Sequence, residues 1–115
     1  MADALDFAPI TRLREVLEHG SPTETDLREL AEQADGWARS LRGQIRASER
    51  RLRALTADPV SPLTEIAEQL RRVETLRPQL AEVRALIADL ETRARELRTA
   101  WLLGQAEAAR PPAPD

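Results

Sequence analysis

Leu55-Thr56-Ala57-Asp58-Pro59-Val60-Ser61-Pro62-Leu63-Thr64-Glu65 decides how this chain folds. The residue before a proline avoids the helical region, so Asp58-Pro59 stops whatever helix precedes it. Ser61-Pro62 starts another: Ser is a preferred N-cap, Pro suits the first helical position, and Glu65 places negative charge in the first turn. Between stop and start lie only a few residues. A connection that short between two long helices returns the chain antiparallel.

The punctuation outward from this turn divides the chain into three helices. Ser21-Pro22-Thr23-Glu24 repeats the Ser-Pro entry and reads as a capping box, with Ser21 at N-cap and Glu24 at N3. Gly20 ends a short helix before it, and Gly104 closes the last one. The predicted helices cover about 9–19, 22–57 and 62–103, in a single domain of residues 1–104. At 1.5 Å per residue the two long ones would be ~54 and ~63 Å. Residues 105–115, with three prolines, read as a disordered Pro-rich tail. The predicted fold is all-α: a long antiparallel two-helix coiled-coil hairpin with a short N-terminal helix packed at the open end, three-helix bundle-like there.

Apolar spacing indicates how the long helices meet. The second offers Leu27, Leu30, Ala34, Trp37, Leu41, Ile45, Ser48, Leu52 and Leu55, the 3-4 spacing of a coiled-coil seam. The third offers Leu63, Ile66, Leu70, Val73, Leu76, Leu80, Val83, Ile87, Leu90, Ala94, Leu97 and Trp101. Each stripe breaks its rhythm once, at Leu41 to Ile45 and at Val73 to Leu76. A hairpin turning at 58–61 sets 41–45 opposite 73–77, so the two breaks should face each other beside Gly43 and Pro78. Pro78 either kinks the third helix or splits it. At the open end, Ile10, Leu13, Val16 and Leu17 of the first helix should cover the widened stripe around Leu86, with Phe7 near Trp37 and Trp101 near Leu17.

Composition narrows function mainly by exclusion. The chain has 115 residues, a net charge of −3, 3% aromatic residues and no Cys or Tyr. It therefore has no thiol, disulfide or zinc-cysteine chemistry. Its single His, His19, stands in the last turn of the first helix, where it suits the helix C-terminus. A two-His metal site is impossible, and neither a phosphate-binding glycine loop nor a dinucleotide fingerprint is present. No catalytic residue, cofactor or metal site is expected. The acidic start, Met-Ala-Asp-Ala-Leu-Asp, is unlike a signal peptide, and no apolar run is long enough to span a bilayer, so the expected location is cytoplasmic. All 17 basic residues are Arg. With the abundance of Ala, Leu and Pro, that fits the codon usage of a GC-rich bacterial genome.

Charge is distributed unevenly along the chain. Residues 1–35 carry nine acids and three Arg; residues 36–57 carry six Arg and one acid, Glu49; residues 62–104 carry seven of each sign. Within the basic block Arg39, Arg42, Arg46, Arg50 and Arg53 recur at helical spacing. They form one stripe, about 130° from the seam of Leu41, Ile45 and Leu52. The stripe suits the dipole of its own helix, an acidic protein surface (another copy included), or the phosphates of a nucleic acid. The net acidity and the absence of interleaved aromatics disfavour the last. The turn half of the hairpin buries one seam that includes the polar Ser48, and a bare helix pair of that size needs cover. These features predict a non-catalytic structural or interaction protein, an adaptor, assembly factor or regulatory subunit. It would act through coiled-coil contacts as a homodimer, with nucleic-acid binding through the Arg stripe as the alternative. No family signature accompanies them: the Trp-x-Gly turn and Tyr-based signal of small secreted WXG-type hairpins are missing.

Overall fold

The computed structural model describes the backbone of residues 8–111 and, apart from His19, the side chains of residues 11–111. Phe7, the side chains of Ile10 and His19, and residues 112–115 lie outside the described residues. Among the described residues there are three helices: α1 (Ala8–His19), α2 (Glu24–Ala57) and α3 (Leu63–Ala108). The two long helices pack against each other as a hairpin, with the short α1 added. Two compact units make up the chain: Met1–Ala31 with Ala88–Asp115, and Glu32–Ile87.

The second unit holds the turn predicted from Asp58-Pro59-Val60-Ser61. The Asp58 carboxylate accepts a hydrogen bond from Val60 N at 3.0 Å, and Asp58 O accepts one from Ser61 N at 3.1 Å. Asp suits this position because its side chain bonds its own backbone two residues on. The Pro62 carbonyl then accepts the Ile66 N–H, so Pro62 stands at the N-cap of α3 and Ser61 in the turn before it.

Three bridges across the unit set its register. Arg72 Nη2 donates to Gln44 Oε1 at 3.4 Å, and Arg51 pairs with Glu65; these two bridges are one heptad apart on both helices and share a flank. Arg77 Nη2 donates to Glu49 Oε2 at 2.7 Å on the other flank. The bridges on the two flanks slant in opposite directions, and the seam lies midway between them. Ile45 is therefore level with Leu76, Ser48 with Val73, and Leu41 with Leu80 instead of residue 77 as expected.

The breaks expected in the two stripes do not exist. In α2 Leu27, Ala31, Ala34, Ala38, Leu41, Ile45, Ser48, Leu52 and Leu55, all buried or half-buried, alternate steps of four and three throughout, with Leu30 half-buried beside them. Ala38 is buried in the seam where Trp37 was expected, and the half-buried Trp37 lies on its flank. In α3 Ile66, Gln69, Val73, Leu76, Leu80, Val83, Ile87, Leu90 and Ala94, all buried or half-buried, keep an unbroken spacing, with the buried Gln79 and Leu86 beside it. Gln69 replaces Leu70, which is 48% exposed; Leu63 at the start of α3 is 81% exposed. A side chain as large as Trp37 covers the edge of a seam well, while a small Ala38 lets the two backbones approach. A half-buried glutamine can pack its stem and leave its amide near solvent. α3 runs as one helix through Pro78, which rules out a split there.

The first unit draws on all three helices. Leu13 of α1, Leu27 of α2 and Leu90 of α3 are each essentially removed from solvent, with Ala94 beside them in sequence spacing one turn on. Arg93 Nη1 donates to the carbonyl of Leu17 near the end of α1. Gly20 follows that end with an ordinary negative φ, not the left-handed cap its position suggested. A side chain there would place its Cβ 2.9 Å from the Val16 carbonyl oxygen, so glycine is needed for the close approach.

Helix α2 starts two residues later than expected and with a different cap. Thr23 Oγ1 accepts the Asp26 N–H at 3.1 Å, and the Asp26 carboxylate accepts the Thr23 N–H at 3.0 Å. This reciprocal pair is a capping box on Thr23 and Asp26, displacing the one read on Ser21 and Glu24. Hydrogen bonding to the carboxylate, first from the Thr23 backbone N–H and then from the Thr23 hydroxyl, holds the Asp26 carboxyl below its ordinary value of 3.8. Gly104 does not close α3, which continues to Ala108, so residues 105–108 are helical and not part of a disordered tail. Trp101 does not pack beside Leu17: it is 61% exposed, and Leu97 is 41% exposed.

Candidate docking face on the second helix

The five arginines of the predicted stripe all lie in the second unit, and the structure shows what surrounds each. Arg39 pairs with Asp35 one turn back, Nε to Oδ2 at 3.4 Å, both side chains being largely exposed. Arg42 is half-buried; Arg46, Arg50 and Arg53 are exposed. Among the described residues no carboxylate pairs with these four.

The reason lies in the seam's flanks. Glu49, the block's single acid, reaches over the seam to Arg77 of α3, and Arg51 reaches over the other flank to Glu65. Both are thereby drawn to the sides of α2 nearest α3. Among the described residues the stripe keeps its arginines with one acid partner, Asp35, and that partner belongs to Arg39 alone. Like charges three and four residues apart on a helix destabilise it by about 0.2–0.5 kcal/mol per pair.

The helix dipole does not account for this arrangement. Its influence falls off within the last turn, and the last turn of α2 contains no basic residue. Arg53 stands just before that turn, whereas Arg39, Arg42, Arg46 and Arg50 lie further back. The acids at the other end, Glu24 and Asp26, do occupy the first turn as the dipole favours.

Between the arginines the outer face is low. Ser40, Gly43, Ala47 and Ala54 are exposed, and a Cβ added at Gly36 or Gly43 would meet nothing within 4 Å. Neither glycine is required by the packing of the chain itself. A flat strip bordered by guanidinium groups can receive carboxylates or phosphates by bidentate hydrogen bonds.

Among the described residues no group of three or more His, Asp or Glu side chains is placed to hold a metal ion. No helix among them is long and apolar enough to cross a membrane. A second surface escaped sequence reasoning: the exposed apolar residues Trp101, Leu102 and Leu103 near the end of α3. The signal for it was available, because the 3-4 spacing of α3 continues past the point where α2 begins. In comparisons with family models, curated proteins and solved structures, the chain matches none.

Proposed function

We propose that this chain is a non-catalytic interaction protein, an adaptor, assembly factor or regulatory subunit, that works through coiled-coil helical contacts as a homodimer. Its docking face for an acidic protein surface is the stripe Arg42, Arg46, Arg50 and Arg53, with Arg39 at its edge. One observation carries the reading: four arginines stand on one helix face and none of them pairs with a carboxylate among the described residues. Their mutual repulsion opposes the helix, and an external anion relieves it.

Affinity purification of the intact protein from its native cell, beside an Arg42→Glu, Arg46→Glu, Arg50→Glu variant, tests this. Loss of a partner with an acidic surface from the variant is the expected result. Identical partners for both proteins would rule the stripe out.

A second reading uses the same unpaired guanidinium groups against nucleic-acid phosphates. It predicts a salt-dependent shift with duplex DNA or RNA that the same variant abolishes. No binding at about 50 mM salt disposes of it, because phosphate contacts are strongest at low ionic strength.

A further inference from the structure

The inward residues of α3 keep heptad spacing through Val83, Ile87, Leu90 and Ala94. The next positions in the same rhythm are Leu97, Trp101, Gly104 and Ala108. The first of them is level with the start of α2: the Glu24 carboxylate lies 3.8 Å from Arg98. Beyond it the seam has no α2 residue to face, and every residue from Arg95 to Pro111 is exposed. Trp101 and Leu103 are 61% and 63% exposed, and no charge occurs between Arg98 and Glu107. An exposed seam of this kind marks an interaction site.

We propose that residues 97–108 of α3 pair antiparallel with the same segment of a second copy, about a twofold axis. The layers match in volume. An antiparallel seam sets Trp101 opposite the partner's Gly104 and Leu97 opposite the partner's Ala108, large against small at each level, twice over by symmetry. Gly104 is the one glycine in α3, and the space where its Cβ would stand is open, so the indole can rest against the backbone. A parallel pairing in register would instead set Trp101 against Trp101 and glycine against glycine, leaving a hole beside a clash.

Charge agrees with the same register. On the flank of an antiparallel pair, residues five positions short of the seam level meet, as Gln44 meets Arg72 in the second unit. Here that rule brings Arg93 to the partner's Glu107. Neither has an ion pair among the described residues; the Arg93 guanidinium donates only to the Leu17 carbonyl. Leu102 and Leu103 lie outside this face. The inference rests on the homodimer part of the proposed function and is independent of the Arg stripe.

Sedimentation velocity of the full-length protein from low to high micromolar concentration tests it, with Trp101→Ala, Gly104→Leu and the Arg42→Glu, Arg46→Glu pair. The wild type should dimerise, and the first two variants should each weaken the dimer by about tenfold or more, the cost of losing an interface anchor. The stripe variant should leave it unchanged. Gly104→Leu is the sharper arm, since leucine favours the helix and its Cβ would stand in open space, so a weakened dimer points to the partner. A wild type that stays monomeric overturns both this interface and the homodimer reading, and a shielded Trp101 in that monomer (read by emission in a Trp37→Phe background) assigns the cover to the chain itself. A dimer unchanged by Trp101→Ala and Gly104→Leu overturns this interface alone.

Discussion

Arg51 on α2 and Glu65 on α3 are joined across the seam, the Arg51 Nε 2.9 Å from Glu65 Oε1. The pair lies on the same flank as Gln44 and Arg72, one heptad nearer the turn. Both side chains are partly exposed, so the pair is worth about 0.5 kcal/mol. Arg51→Glu alone should lower stability in urea melts by somewhat more, because it sets two acids face to face. The exchange Arg51→Glu with Glu65→Arg should recover most of the loss. Failure of the exchange to recover anything would mean the flank pairing does not set the register.

Gln79 is buried, and its Oε1 has no hydrogen-bond partner among the described residues. A polar atom left unsatisfied costs about 1–3 kcal/mol, while an apolar group of similar shape does not. Gln79→Leu should therefore raise the melting temperature, by the equivalent of about 1 kcal/mol. A fall would show that the amide is satisfied by water in solution.

Two glycines should respond to alanine in opposite directions. Gly43 lies inside α2 with open space around its missing Cβ and an ordinary φ, so Gly43→Ala should stabilise by about 0.5–1 kcal/mol. At Gly20 the new Cβ would press on the Val16 carbonyl oxygen, and Gly20→Ala should cost about 1 kcal/mol. Chemical denaturation of the two variants side by side checks both signs.

Thr23→Ala should cost about 1 kcal/mol at neutral pH through loss of the α2 N-cap. The contribution of Asp26 depends on pH in a definite direction. Its folded carboxyl titrates below the ordinary 3.8, so the stabilisation it provides is fully present above that value and fades as pH falls through the folded one. Asp26→Asn should thus be less stable than the wild type at pH 7, and the gap should close in strong acid. A gap that stays constant with pH would rule out the charged half of the cap.

The Arg stripe could be read in advance because helical periodicity is local: steps of three and four put Arg39, Arg42, Arg46, Arg50 and Arg53 on one side whatever they face. That four of them lack acids could not be read. Glu49 lies within one turn of Arg46, Arg50 and Arg53 in sequence, and only the presence of Arg77 across the seam draws it away.

The seam itself shows the same division. Asp58-Pro59, Ser61-Pro62 and the apolar rhythm were enough to establish two long antiparallel helices, because turn chemistry and helix propensity act over a few residues. Choosing Ala38 over Trp37 and Gln69 over Leu70 was a tertiary decision. Hydrophobicity ranks the larger residue first, but the close approach of two helices admits the smaller or the more pliant one and leaves the larger at the edge. Trp101 follows from that principle in another form: its own helix places it on the seam, and whether anything stands opposite depends on where α2 begins.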